Sequence, residues 1–148
     1  MIRGMEKADL PEIRKMSEGI AAQAYPELVP DVAKEHAILS QMCIDTSCYA
    51  RVVGEIGAPE AVLIGKSGDN YWAQGRHATV LLWYSKKPGA GIALLRDFRR
   101  WVDGQKRMIL AGFMDDFSMD QRLRNLVTKA GFTQRGGAYV YFPRGSKK

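Results

Sequence analysis

The stretch from Arg76 to Ser85 leaves this chain few folds to choose from. Thr79, Val80, Leu81, Leu82, Trp83 and Tyr84 are nearly all β-formers and run without a break. A continuous apolar run of this length predicts a strand buried on both faces. Lys86-Lys87-Pro88-Gly89-Ala90-Gly91 follows directly, and then a helix from Ile92 to Asp103. Ile92, Leu95, Phe98 and Val102 fall on its core face, and Gly104 closes it. A buried strand, a glycine-rich loop and a helix in that order call for a mixed α/β chain.

The remaining elements fit around this unit. Met1 to Met5 reads as a short strand. Asp9 and Glu12 form a capping box for a helix carrying Ile13, Met16 and Ile20. Ala24 to Pro30 is a loop, and Asp31 to Met42 a second helix with Val32, Leu39 and Met42 on its apolar face. Ser47 to Val53 and Glu60 to Gly65 are strands joined by a turn at Gly54 to Pro59. Ser67 to Gly75 is a polar loop bearing Tyr71 and Trp72. Arg107 to Phe113 is a strand. Ser118 and Gln121 form a second capping box, for a helix with Leu123, Leu126, Val127 and Ala130 on one stripe and Gly131 at its end. Phe132 and then Ala138 to Phe142 make a final strand or hairpin. The predicted order is β-α-α-β-β-β-α-β-α-β, an α/β (α+β mixed) fold within one domain, residues 1–148, ending in a basic tail, 144–148.

The whole chain is 148 residues, with 22 Lys plus Arg against 16 Asp plus Glu, a net charge of +6. That balance favours an anionic partner. Arg96, Arg99, Arg100, Lys106 and Arg107 would serve nucleic acid, but Asp97 and Asp103 interleave with them, so this reads as a solvated helix face. No apolar run reaches membrane-spanning length. Glu6, Asp9 and Glu12 near the start argue against a secretory signal. Cys43 and Cys48 make neither a zinc site nor a disulfide framework, which points to a reducing, cytoplasmic setting.

A glycine loop entering a helix presents free backbone N–H groups at the positive end of the helix dipole. Gly89 and Gly91 permit close approach, and Lys86 and Lys87 add charge, so the loop is a phosphate or pyrophosphate cradle. Two other cradles are set aside. Gly89-Ala90-Gly91 lacks the third glycine of a dinucleotide fingerprint, and Gly65-Lys66-Ser67 lacks both the upstream glycine and the helix of a P-loop.

Lys86-Lys87-Pro88-Gly89-Ala90-Gly91 resembles the acyl-CoA loop of the GCN5-related N-acetyltransferases, Arg/Gln-x-x-Gly-x-Gly/Ala. Residues 1–13 are similar to that family's first strand and helix. Lys129-Ala130-Gly131-Phe132, followed by Tyr139 and Tyr141, is similar to its last helix and hairpin. The abbreviated N-terminal half and the Trp83-Tyr84-x-Lys86 junction most resemble the small members found in bacteriophage genomes. The resemblance implies a central mixed sheet flanked by about four helices. It also implies transfer of an acetyl group from acetyl-CoA to an amine acceptor, a small molecule or a protein, by direct attack. Leu82, Trp83 and Tyr84 would hold pantetheine. Lys86, Lys87, Pro88, Gly89, Ala90 and Gly91 would hold pyrophosphate, and Ile92 would open the helix. Lys87, Arg96 or Arg124 would reach the 3′-phosphate. A homodimer through the final strands is also implied.

The chain departs from the family where it has Val127 in place of the usual general-acid Tyr, and Asp120 in place of an Asn. Lys86 stands where Arg or Gln is usual, a point charge instead of a fork. His77, by its intrinsic pKa, and Tyr84 are then the candidates for base and acid. Glu35 and His36 lie where the family lines its acceptor site. Val127 keeps open an alternative, a binding or structural module without catalysis.

Overall fold

The computed structural model describes residues 1–114, 119–136 and 139–143. Five strands form one sheet in the order β1-β2-β3-β4-β5. They are β1 (Ile2–Gly4), β2 (Cys48–Glu55), β3 (Ala58–Asp69), β4 (Arg76–Ser85) and β5 (Met108–Gly112). The first three pairings are antiparallel and the last, β4 with β5, is parallel. A parallel pair needs a crossover, and α3 (Ala90–Gly104) supplies it. The other helices are α1 (Leu10–Ala24), α2 (Val32–Met42) and α4 (Gln121–Lys129). Among the described residues no helix is long and apolar enough to cross a membrane.

The sheet separates two apolar layers. On one face Leu94, Leu95 and Phe98 of α3 pack with Tyr49, Ala61, Leu63 and Ala78, and Val127 and Ala130 of α4 join them. On the other, Leu10, Ile13 and Met16 of α1 and Leu39 of α2 cover Val52, Val62, Ile64 and Leu82. Alternation along β3 divides the two sets: Ala61 and Leu63 face α3, Val62 and Ile64 face α1.

Strand β4 carries a bulge. Ile64 pairs with Leu82, but Gly65 pairs with Val80, so Leu81 is the extra residue. The expectation that β4 is buried on both faces is corrected. Ala78 and Leu82 are buried, whereas Thr79, Leu81 and Tyr84 are exposed. The cause lies in its neighbour: β5 pairs with β4 only as far as Thr79 and Gly112. Among the described residues, 80–85 of β4 have no strand partner on that side.

Local chemistry corrects other expectations. Asp9 precedes α1 but its side chain does not cap it. Its fully buried carboxylate instead accepts from Arg3 at 2.8 and 2.9 Å, from Glu6 N at 2.8 Å and from Gly57 N at 2.9 Å. Burial alone would raise its pKa; Arg3 and the two backbone N–H groups more than offset that and hold it below the ordinary range. Val32 of α2 is exposed. Strand β3 runs on to Asp69, into the expected loop. Asp120, not Ser118, caps α4, accepting from Leu123 N at 2.8 Å; Ser118 lies outside the described residues. So do Ala138 and the tail 144–148, while Tyr139 to Phe142 form no strand.

Candidate functional site

The unpaired length of β4 ends at the glycine loop. Helix α3 begins at Ala90, two residues earlier than expected, because Gly89 caps it at φ 81°, the left-handed region. A side chain added at Gly89 would meet nothing within 4 Å, so the turn's outer side is open. Gly91 serves a different purpose from the one expected. A Cβ there would lie 3.2 Å from Ser85 Cβ and 3.4 Å from Trp83 Nε1, so this glycine lets α3 close against β4. Trp83 Nε1 donates to Gly91 O at 2.9 Å, fixing the indole under the helix start. Ser85 Oγ ties the loop, donating to Lys87 O at 2.7 Å and accepting from Lys87 N at 3.2 Å.

The loop's own hydrogen bonds leave donors over. Ala90 N bonds Lys87 O, and Ala93 N makes the first helical bond, to Gly89 O. Among the described residues, the N–H groups of Gly89, Gly91 and Ile92 have no partner. These are the orphan donors of a helix start, aimed along the axis where the dipole is positive.

In front of them is a cavity of about 530 Å³. Trp83, Tyr84, Lys86, Lys87, Pro88, Gly89, Gly91 and Ile92 line it, together with Ile20 and Gln23 of α1, Met119, and Asp120 and Arg122 at the start of α4. Lys86 reaches back to α1, with Nζ 3.4 Å from Glu12 Oε2. Lys15, first, and then Lys86 hold the Glu12 carboxyl below its ordinary range. Three cations, Lys86, Lys87 and Arg122, face the cavity, and its one carboxylate, Asp120, is occupied as a cap. A diphosphate on a flexible arm fits this donor set: N–H groups and cations at one end, an unpaired strand edge at the other.

The structure gathers most of the predicted binding residues here. Leu82 lines a smaller adjoining cleft of about 100 Å³ at the mouth of the β4–β5 split, and Ala90 packs in the core. Tyr84 is on the large cavity, half-exposed. His77 is elsewhere. It pairs with Leu110 on the closed side of the split, five residues from Leu82, roughly 16 Å along the strand. Its Nδ1 is buried without a partner among the described residues. Arg124 lines a third cavity, and Arg96 lines none of the three. Sequence reasoning missed Gln23, Met119 and Arg122, whose place depends on how α1 and α4 dock. Ile20 was legible as apolar, though not as a wall of this site.

No family model matches the sequence, and no curated protein matches it. Solved structures do match its shape. A proposed acetyltransferase from Agrobacterium tumefaciens str. C58 superposes with TM-score 0.71 at 15% identity, over 97% of this chain and 99% of that one. An aminoglycoside acetyltransferase from an uncultured soil metagenomic sample, solved with sisomicin, gives 0.67 at 13%, over 97% and 95%. A transcriptional regulator from Bacillus halodurans C-125 gives 0.71 at 13%, over 96% and 99%. At such identities the likeness is one of fold. The chain has the fold of the GCN5-related N-acetyltransferases. That fold hosts the chemistry proposed next, and the regulator's presence among its neighbours shows that fold alone does not assign it.

Proposed function

We propose that this protein is an N-acyltransferase that binds acetyl-CoA in the large cavity and passes its acetyl group to an amine. One observation carries the reading. The β4–β5 ladder stops at Thr79 and Gly112, leaving a bare strand edge that leads directly to a helix start with unpartnered N–H groups.

The Gly89, Gly91 and Ile92 N–H groups would hold pyrophosphate, with Lys86, Lys87 and Arg122 around it. The edge of Leu82, Trp83 and Tyr84 would pair with the amide arm. Acetyl-CoA supplies a thioester whose carbonyl carbon an amine can attack. The C–N bond forms, the C–S bond breaks, and the thiolate takes a proton. With Val127 unable to donate one, we assign this to the Tyr84 hydroxyl, which lines the cavity. His77 is given no step, since it lies on the closed side of the split. Most of the acceleration then comes from positioning.

Calorimetry with acetyl-CoA tests the reading, using Gly89→Asn and Gly89→Asp. Asn and Asp both tolerate the left-handed turn and differ only in charge. A carboxylate about 5 Å from pyrophosphate costs roughly 3 kcal/mol at an effective dielectric of ~20. Wild type and Gly89→Asn should bind within a few-fold of each other, and Gly89→Asp about a hundredfold more weakly. No binding by folded wild type, or equal binding by both variants, overturns the proposal.

A second reading, a binding module without turnover, is favoured by Val127. It predicts that acetyl-CoA binds but that no amine in a broad panel releases free CoA thiol.

A further inference from the structure

Three cavities meet at Met119. The large cavity shares Ile20, Trp83 and Met119 with the cleft at the split. That cleft shares Phe113, Met114 and Met119 with a third cavity, of about 280 Å³, between α4, the end of β5 and the segment after α4. A ligand entering through the large cavity and one entering through the third would therefore meet at the cleft. Trp83 and Phe113 face each other across it, ring centroids 5.6 Å apart.

The third cavity has a definite chemistry. Phe113, Met119, Val127 and Phe132 give it apolar walls, and Arg124 and Arg135 bring guanidinium groups. Among the described residues no carboxylate lines it. An ammonium-rich body placed there would lose water and find no counter-charge. An apolar body carrying one carboxylate would find both a wall and a fork.

We infer that the third cavity holds the acceptor, and that the acceptor is an amine bearing an apolar, ring-sized body and a carboxylate, with Arg135 reading the carboxylate. The inference rests on the acyltransferase reading and narrows it. It differs from a transfer of specificity from the sisomicin-bound neighbour, whose ligand carries several amines. Val127 then becomes part of the acceptor's apolar seat. The amine nitrogen reaches the cleft, bonds the acetyl carbon as the C–S bond breaks, and loses its extra proton to water.

The test compares phenylalanine with phenethylamine, which lacks only the carboxylate, and with sisomicin, as acceptors of acetyl from acetyl-CoA. It uses the wild type and Arg135→Gln. A second readout needs no turnover: calorimetric binding of N-acetylphenylalanine against N-acetylphenethylamine. Wild type should favour the carboxylate-bearing member of each pair by about ten- to a hundredfold. Arg135→Gln, at an exposed position, should bring both ratios close to one and leave phenethylamine unchanged. If acetyl-CoA binds but neither pair shows a preference, or sisomicin is acetylated faster than phenylalanine, this inference fails and the acyltransferase reading stands. If acetyl-CoA does not bind at all, both fall.

Discussion

Replacing Asp9 should cost more stability than any other single polar change on the page. Its carboxylate is fully buried and joins three parts of the chain: Arg3 of β1, Glu6 at the entrance to α1, and Gly57 in the β2–β3 turn. Asp9→Ala leaves two backbone N–H groups and a guanidinium without an acceptor. Breaking a buried ion pair costs about 3–5 kcal/mol. The Arg3 side chain keeps 22% of its exposure and can recover some water, so the low end, about 3 kcal/mol, applies. With a urea slope of about 2 kcal/mol per M, the unfolding midpoint should fall by roughly 1.5 M at unchanged slope. Asp9→Asn keeps the shape and one acceptor and should lose about 2 kcal/mol. It also changes the pH profile. Asp9 is held below its unfolded value of 3.8, so its contribution is present above that value and is lost as pH falls through the lower folded one. Urea titrations from pH 7 down to about pH 2 should show a shallower acid limb in Asp9→Asn than in wild type. A loss under about 1 kcal/mol for Asp9→Ala, or an identical acid limb for Asp9→Asn, would refute the account.

Two further outcomes follow from local geometry. Gly131 ends α4 at φ 103°, and a Cβ there would lie 2.6 Å from Arg99 Nη1, whose bond to Ala130 O is 2.9 Å. Gly131→Ala should lower stability by about 1–2 kcal/mol, read as a drop of a few degrees in Tm. Trp83→Phe keeps a ring against Phe113 but removes the donor to Gly91 O, so it should cost about 1 kcal/mol in thermal unfolding. It should also weaken acetyl-CoA binding more than its stability loss suggests, by calorimetry, because the loop start is no longer pinned.

What the sequence revealed was what local chemistry decides. The bounds of β4 are those read from its β-formers, and the cradle was legible from Gly89, the lysines and the helix periodicity beyond. What it hid was set by distant partners. Nothing within residues 76–85 says that β5 departs after Gly112, so the run read as doubly buried. Asp9 looked like a cap because its neighbours have capping spacing, yet Arg3 and the Gly57 turn, brought close by the sheet, take the carboxylate. Gly91 looked like an opening for a ligand because its contact with Ser85 exists only once α3 has folded back. The meeting of three cavities at Met119 has no local signature at all.

The extra residue at Leu81 sets the phase of everything after it. Before the bulge, even-numbered side chains such as Ala78 and Val80 point toward α3; after it, Leu82 points toward α1 and the odd-numbered Trp83 takes the α3 side. Only in that phase does the indole lie beneath the helix it holds. Read as a tape, β4 is two short messages printed half a period apart, one for the core and one for the cavity. Removing one letter between them would leave the composition almost untouched, yet it would turn the second message to the wrong side of the sheet.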